Sequence, residues 1–473
     1  MTTSRPSSSA VPVLSGLRKA LDALAARQTT ATALTEQALE KAEASKRSFN
    51  AFSAIDWDRA LKAAAQSDRR YGENRQRLLE GLPIGIKDLI DTNGIETRYG
   101  SAAYVGHVPT VDADVVKALV DQGAIIIGKT TTHEFAWGVS TASAKFGDTL
   151  NPLDSTRIPG GSSGGAAVAI ASGAVRAGVG TDTGGSVRIP AALCGVVGFK
   201  PTHGTISTRG VFPLAPTCDH VGLLGEQVDD IGILADAFGI DLPESDAWIS
   251  ARLGVVREIP PVPLSPEMAA AFDGAIERLE QVFACDEVDT SRLFDTVYES
   301  FASIVLIEGG IEHFQRSDWD RIARHYSPET VERLRRAEAM DLRAYISAQQ
   351  SRREFAARLH KAMSTVDYLV LPTCPCTAPR VDAGSVTIGD WSGTVREALM
   401  TYTAPFNVTG FPAISIPLPR GDSELPTALQ IVAKPGDDGA LLQIAQQMEL
   451  MLQAATSTEL IDVNTQGGRQ GER

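Results

Sequence analysis

The stretch GGSSGGAAVAIASGAVRAGVGTDTGGSVRIPAALCGVVGFKPTHG, residues 160–204, decides how this 473-residue chain is read. It is dense in glycine and small residues and carries few charges. Glycine weakens both helices and strands, so such a concentration needs a reason. One reason is a backbone that must approach a ligand closely and aim its N–H groups at negative charge. Within the stretch, residues 166–171 form a small apolar run that can bury on all sides as a helix, with Gly173 suited to its C-terminal end. Residues 175–180 have strand character and empty into TDTGGS, residues 181–186; residues 190–194 begin another short helix. Helix, strand, glycine loop, helix is an order in which open α/β sheets carry functional groups at the carboxyl ends of strands.

Working outward, residues 81–91 read GLPIGIKDLID. Residues 83–86 predict a short strand that delivers Lys87 at its end. A lone lysine is ordinarily a solvated charge, but the apolar flanks here predict burial. A buried amine has a depressed pKa and, once neutral, is a base. Asp88 and Asp91 would oppose that shift if close, and are read as facing elsewhere. Further on, residues 114–122 read as helix and 123–127 as strand. With Gly128-Lys129-Thr130 they spell GAIIIGKT, a letter-for-letter match to the phosphate-loop pattern G-x-x-x-x-G-K-[ST]. The match is rejected, because a phosphate cradle needs free loop amides and the isoleucines would tie theirs into a sheet.

Composition narrows the function classes. Net charge is −14, which argues against nucleic acid as a partner. No run reaches the roughly 20 apolar residues of a membrane span, and the N-terminus lacks the apolar core of a secretion signal. Five cysteines (Cys194, Cys218, Cys285, Cys374 and Cys376), without C-x-x-C or paired Cys/His spacing, fit reduced thiols in a cytoplasm better than a disulfide frame or a zinc site. Residues 1–12 are expected to be a flexible N-terminus. Residues 13–46 are expected to form two helices broken at Thr29-Thr30. Four prolines between 260 and 266 mark a linker, and residues 267–364 read as helical and charged apart from a break at 285–290. Strands return at 368–372, 413–417 and 428–432, and a polar tail follows residue 455. Strands at both ends of the chain predict one sheet with a helical region inserted on its flank.

Two serine arrangements can be tested on the residues. G-x-S-x-G occurs at residues 161–165, but a nucleophile elbow must follow a strand directly, and the preceding segment is polar and ends in proline. A Ser-His-Asp triad would draw on His133, His203 or His220, which the sequence leaves open. Taken together, GLPIGIKDLID, PGGSSGGAAVA and GTDTGGSVRIPAALCGVVGFKPTHG closely resemble the amidase signature family. So do DYLVLPTCPCTAP, TAPFNVTGFPAISIP and LQIVAKPGDDGALL, and the resemblance runs in order over residues 34–450, weakest at 240–363.

The resemblance implies an α/β fold, a mixed central sheet covered by helices on both faces. It would occupy a single domain over residues 13–455, with a variable helical region at about 240–365. It implies a nucleophilic Ser186, a bridging Ser162 after a cis Gly161–Ser162 bond, and Lys87 as base. The oxyanion would rest on backbone N–H groups of Thr183, Gly184 and Gly185, with Ser186 a further donor. No metal or cofactor is implied; the expected partners are a small-molecule amide and, as in many members, a second copy. Ala136, Trp137 and Gly138 are candidate substrate-binding residues, Trp137 and Phe146 being either core packing or a wall for the acyl side. Asp182 and Arg188 are expected to pair and fix the loop, Ser163 to be scaffold, and Cys194 to be core. The alternative within the family is the glutamine-hydrolysing component of a tRNA-dependent amidotransferase. Residues 97–101 and 407–412 look more like the free-standing hydrolases.

Overall fold

A computed structural model describes residues 16–245, 247–420 and 425–454. The expected flexible N-terminus at 1–12 and the polar tail at 456–473 lie outside the described residues. Thirteen strands occur among those described: β1 (Phe52–Ile55), β2 (Pro83–Lys87), β3 (Ile125–Thr130), β4 (Ala177–Asp182), β5 (Val197–Lys200), β6 (His220–Gly225), β7 (Arg252–Val255), β8 (Ala284–Glu287), β9 (Tyr368–Pro372), β10 (Ser385–Ile388), β11 (Trp391–Thr394), β12 (Ala413–Pro417) and β13 (Ala428–Val432). Eleven of them form one mixed sheet in the order β1-β3-β2-β4-β6-β5-β12-β13-β9-β7-β8, while β10 and β11 make a separate hairpin. At its centre β2 runs parallel to both β3 and β4, so the carboxyl ends of these strands open on the same edge. The antiparallel β6 closes the other side of β4.

Side chains alternate across a strand, and here the alternation sorts into two buried apolar clusters. Tyr368 and Val370 of β9 enter one cluster, Leu369 and Leu371 the other. In β13, Leu429 and Ile431 go one way and Ala428 and Val432 the other. Both faces of the sheet are therefore covered, as the sequence predicts. The helices Gly16–Ala25 and Ala31–Phe49 break where expected, and the Thr30 side chain caps the second by accepting from Ala33 N–H. The expected linker contains a cis Pro260–Pro261 bond.

The region from 240 to 365 is not wholly helical. It supplies β7 and β8, which extend the sheet past β9. Sequence reasoning loses β8 because Ala-Cys-Asp-Glu is mostly exposed and has no apolar face to alternate. β4 runs two residues further than the apolar pattern suggests, so Thr181 and Asp182 belong to the strand end. No helix among the described residues is long and apolar enough to cross a membrane.

Candidate active site

Lys87 ends β2 and is fully buried. Its amine contacts three hydroxyls: Ser162 Oγ at 2.7 Å, Ser163 Oγ at 2.9 Å and Thr181 Oγ1 at 2.8 Å. Burial pushes the amine well below the ordinary lysine value, against the opposing charges of Asp182 and Asp219. Neither Asp88 nor Asp91 contributes to that balance, in keeping with the sequence reading.

The hydroxyl protons can be followed around the amine. Ser163 Oγ donates to the Thr181 carbonyl at 3.1 Å and accepts the Thr181 N–H at 3.2 Å, so its own proton is committed elsewhere. Ser163 is thus an acceptor for Lys87 and acts as scaffold. A neutral amine has two N–H bonds and one lone pair. With its donors used on Ser163 and Thr181, the lone pair is left to face the Ser162 hydroxyl.

The loop that bears these groups is held by small residues. The bond between Gly161 and Ser162 is cis. Helix Gly164–Ala171 starts directly after Ser163. Ser186 is buried and joins the group through its backbone, its carbonyl accepting Ser163 N–H at 3.1 Å. Among the described residues, no hydrogen bond joins the Ser162 and Ser186 hydroxyls.

Asp182 and Arg188, both fully buried, form the expected pair, with Arg188 Nη2 and Nε at 2.9 and 3.1 Å from the carboxylate oxygens. Burial would raise the Asp182 carboxyl, but the Arg188 guanidinium overrides it and holds the group below the usual carboxylate range. Arg188 also donates to Thr403 O, Gln430 Oε1 and Asn407 Oδ1, at 3.0, 2.5 and 2.7 Å. Asn407 Nδ2 returns to Asp182 at 2.8 Å. Asn407 and Gln430 were missed as site residues. Asn407 lies in the quoted NVTGFP segment, but nothing in the letters tells that it faces Asp182.

Asp182 also reaches into the loop. Its Oδ1 accepts the Gly185 N–H at 2.7 Å, so that amide is spent inside the protein. Gly185 instead supplies a φ of +123°, and a Cβ there would run into Thr403 Oγ1. Among the described residues, the N–H groups of Thr183, Gly184 and Ser186 have no acceptor. Phe301 and Met400 press on Gly184, leaving no room for a Cβ.

The other candidates fall further out. Trp137 is buried, stacked on His313 with ring centroids 5.7 Å apart, and Ala136 is buried beside it. A Cβ on Gly138 would overlap the His133 ring. For Trp137, core packing is what the structure displays. Phe146 is half-buried beneath the Arg98 guanidinium. Of the histidines, His133 meets Glu329 at 3.1 Å, His203 stacks edge-on against His220, and His220 Nδ1 contacts the Cys218 and Asp182 carbonyls. None of their rings is hydrogen-bonded to the Ser162 or Ser186 hydroxyl among the described residues; His133 meets Ser162 through its backbone, donating its N–H to the Ser162 carbonyl at 3.3 Å. Lys129 of GAIIIGKT is buried inside β3, its amine on Ile90 O and Thr92 Oγ1, so the phosphate-loop match has no loop. Cys194 is core.

With this geometry in view, comparison with known proteins is decisive. The family model described as Amidase matches residues 33–442. The chain belongs to the amidase signature family. It is 34% identical to a glutamyl-tRNA(Gln) amidotransferase subunit of Chloroflexus aurantiacus, over 89% of this chain and 93% of the relative. A solved structure described as an amidase superposes with a TM-score of 0.85 at 33% identity, covering 92% of this chain and all of that one. The glutamyl-tRNA(Gln) amidotransferase subunit of Thermotoga maritima superposes at 0.72 with 28% identity, over 88% and 90% of the two chains. This amidase-family chain is therefore an enzyme of the amide hydrolase and amidotransferase group, with the mixed α/β architecture of its structural neighbours.

Proposed function

We propose that this chain hydrolyses the C–N bond of a small carboxylic amide through an acyl-enzyme on Ser186, with Lys87 as base and Ser162 as relay. The observation that carries the reading is an amine buried among three hydroxyls and depressed in pKa. A serine hydroxyl attacks poorly until a base takes its proton. Neutral Lys87 takes the Ser162 proton as Ser162 takes that of Ser186, and the Ser186 oxygen adds to the amide carbonyl. Hydrogen bonds of this kind commonly tighten only when substrate is bound. The oxyanion rests on the unspent amides of Thr183, Gly184 and Ser186, where one donor is worth about 3–4 kcal/mol. Protonated Lys87 returns its proton through Ser162 to the nitrogen as the C–N bond breaks. The amine departs, and water repeats the cycle on the acyl ester.

The name shared by the curated relatives favours a second reading: one component of a larger assembly, releasing ammonia from glutamine. The sequence stretches at 97–101 and 407–412 look more like those of free-standing hydrolases and support the first reading, while the relatives' names weigh toward the second. Hydrolysis at Ser186 is common to both. Five cysteines without a disulfide suit a reducing cytoplasm for either. The purified chain, offered simple aryl and acyl amides, should release amine unaided. Turnover of glutamine alone, and only after partner proteins are added, would establish the second reading. Wild-type turnover by Ser186→Ala would remove both.

A further inference from the structure

We propose that Asp219 is a positioning residue that sets the aim of the oxyanion loop and links it to the helical region above. The inference rests on the acyl-enzyme reading. The Asp219 carboxylate accepts the Thr183 hydroxyl at 2.7 Å and the N–H groups of Leu214 and Ala215 at 2.9 and 3.1 Å. It ties the loop that follows β4 to the segment at residues 213–219. That segment is gripped from above. Glu308, on helix Val297–Phe314, accepts Thr217 N–H at 3.1 Å and Thr217 Oγ1 at 2.7 Å. Arg352, on helix Leu342–Ala362, donates to Thr217 O at 2.9 Å.

The loop is thus held from two sides by two carboxylates with different jobs. Asp182 takes the Gly185 N–H from within. Asp219 takes only the Thr183 side chain and leaves its amide free. On the loop so anchored, the amides of Thr183, Gly184 and Ser186 remain for a ligand. A cavity of about 40 Å³ opens beside this loop, lined by Thr181, Thr183, Phe212, Leu214, Asp219 and His220. A group bound there would press on the same segment that Asp219 connects to the loop.

Asp219 has a second, electrostatic reach. Its negative charge, with that of Asp182, holds the Lys87 proton more tightly than burial alone would. The other charged or titratable groups around this centre are Arg188, paired with Asp182, together with Lys200, Cys218, His203, His220, Glu308 and Arg352. Removing the Asp219 charge therefore lowers the Lys87 pKa and moves the acid limb of the activity profile to lower pH. A residue that merely held the fold would not do this.

The test compares Asp219→Asn and Thr183→Val with the wild type, using an amide that the wild type turns over and a fluorophosphonate probe of Ser186. Thr183→Val, which keeps the charge and nearly the same shape, should lower kcat about tenfold to a hundredfold, with KM within about twofold and the acid limb in place. Asp219→Asn should lower kcat similarly and shift the acid limb down. Thr183→Val with wild-type kcat, or a loss confined to KM, would overturn the positioning role. If Asp219→Asn does not fold, the Thr183→Val result decides alone. Failure of the probe to label wild-type Ser186 would instead count against the acyl-enzyme reading itself.

Discussion

Lys87 and Lys129 sit on adjacent parallel strands one register step apart, Ile86 pairing with Lys129 and Lys87 with Thr130. Both side chains are buried, and burial lowers both amines. Their surroundings differ. Lys129 donates to the Ile90 carbonyl and to Thr92 Oγ1, and the charge of Asp88 pulls its pKa back up. Lys87 meets hydroxyls, while the nearest carboxylates are already engaged, Asp182 by Arg188 and Asp219 by Thr183. A buried amine with its own carboxylate is a structural cation. One ringed by hydroxyls is free to act as a base.

The sharpest way to break this comparison is to replace each amine by a hydrocarbon of similar length. Lys87→Met should lower kcat by at least about 10⁴-fold. Its stability should stay within about 1 kcal/mol of wild type, since removing a buried amine also removes its desolvation cost. Lys129→Met should do the reverse. Stability should fall by about 3–5 kcal/mol because the buried Asp88 loses the largest opposing charge in its field, with kcat within about threefold. Turnover and urea unfolding of the two variants read both outcomes, and matching phenotypes would erase the distinction.

Two further variants probe the same centre. Ser162→Ala should cost about 10²–10³-fold in kcat, without loss of the folded circular dichroism spectrum, as the relay is broken but the amine remains. Arg188→Met should cost about 3–5 kcal/mol of stability, because Asp182 would lose its counter-charge at a fully buried site.

The smallest effect concerns pH. The folded state disfavours the Lys87 proton, so the unfolded chain binds it more readily. Between the depressed folded value and the ordinary 10.5, stability rises with pH, and this contribution is lost as pH falls through the folded value. Subtracting the Lys87→Met curve from wild type should leave a slope of up to about 1.4 kcal/mol per pH unit in that window. The contributions of Lys129 and of Lys200, a third buried lysine whose amine is lowered by burial, cancel in the difference.

Much of this was legible in the letters, and what was not has physical causes. The apolar residues before Lys87 announced its burial, and the glycine loop announced unspent amides. The sequence reads Asp88 as facing away from Lys87, but it could not say that its field falls on Lys129 instead, because that lysine comes from the neighbouring strand β3. Nor could it give the destination of the Gly185 N–H, which depends on Asp182 folding back three residues. Asn407, Gln430 and Asp219 reach the loop only through the tertiary fold, across separations of up to 242 residues. The strands β7 and β8 were hidden by their short length and, in β8, by exposure.

The central claim is that Lys87 is an uncharged amine at working pH. A pH titration of the lysine side-chain carbons by ¹³C NMR, with Lys87→Met supplying the assignment, measures this directly. The account predicts a Lys87 resonance that reaches its neutral position well below the ordinary lysine value of about 10.4. A Lys87 signal that stays ammonium-like up to about pH 10 would contradict it.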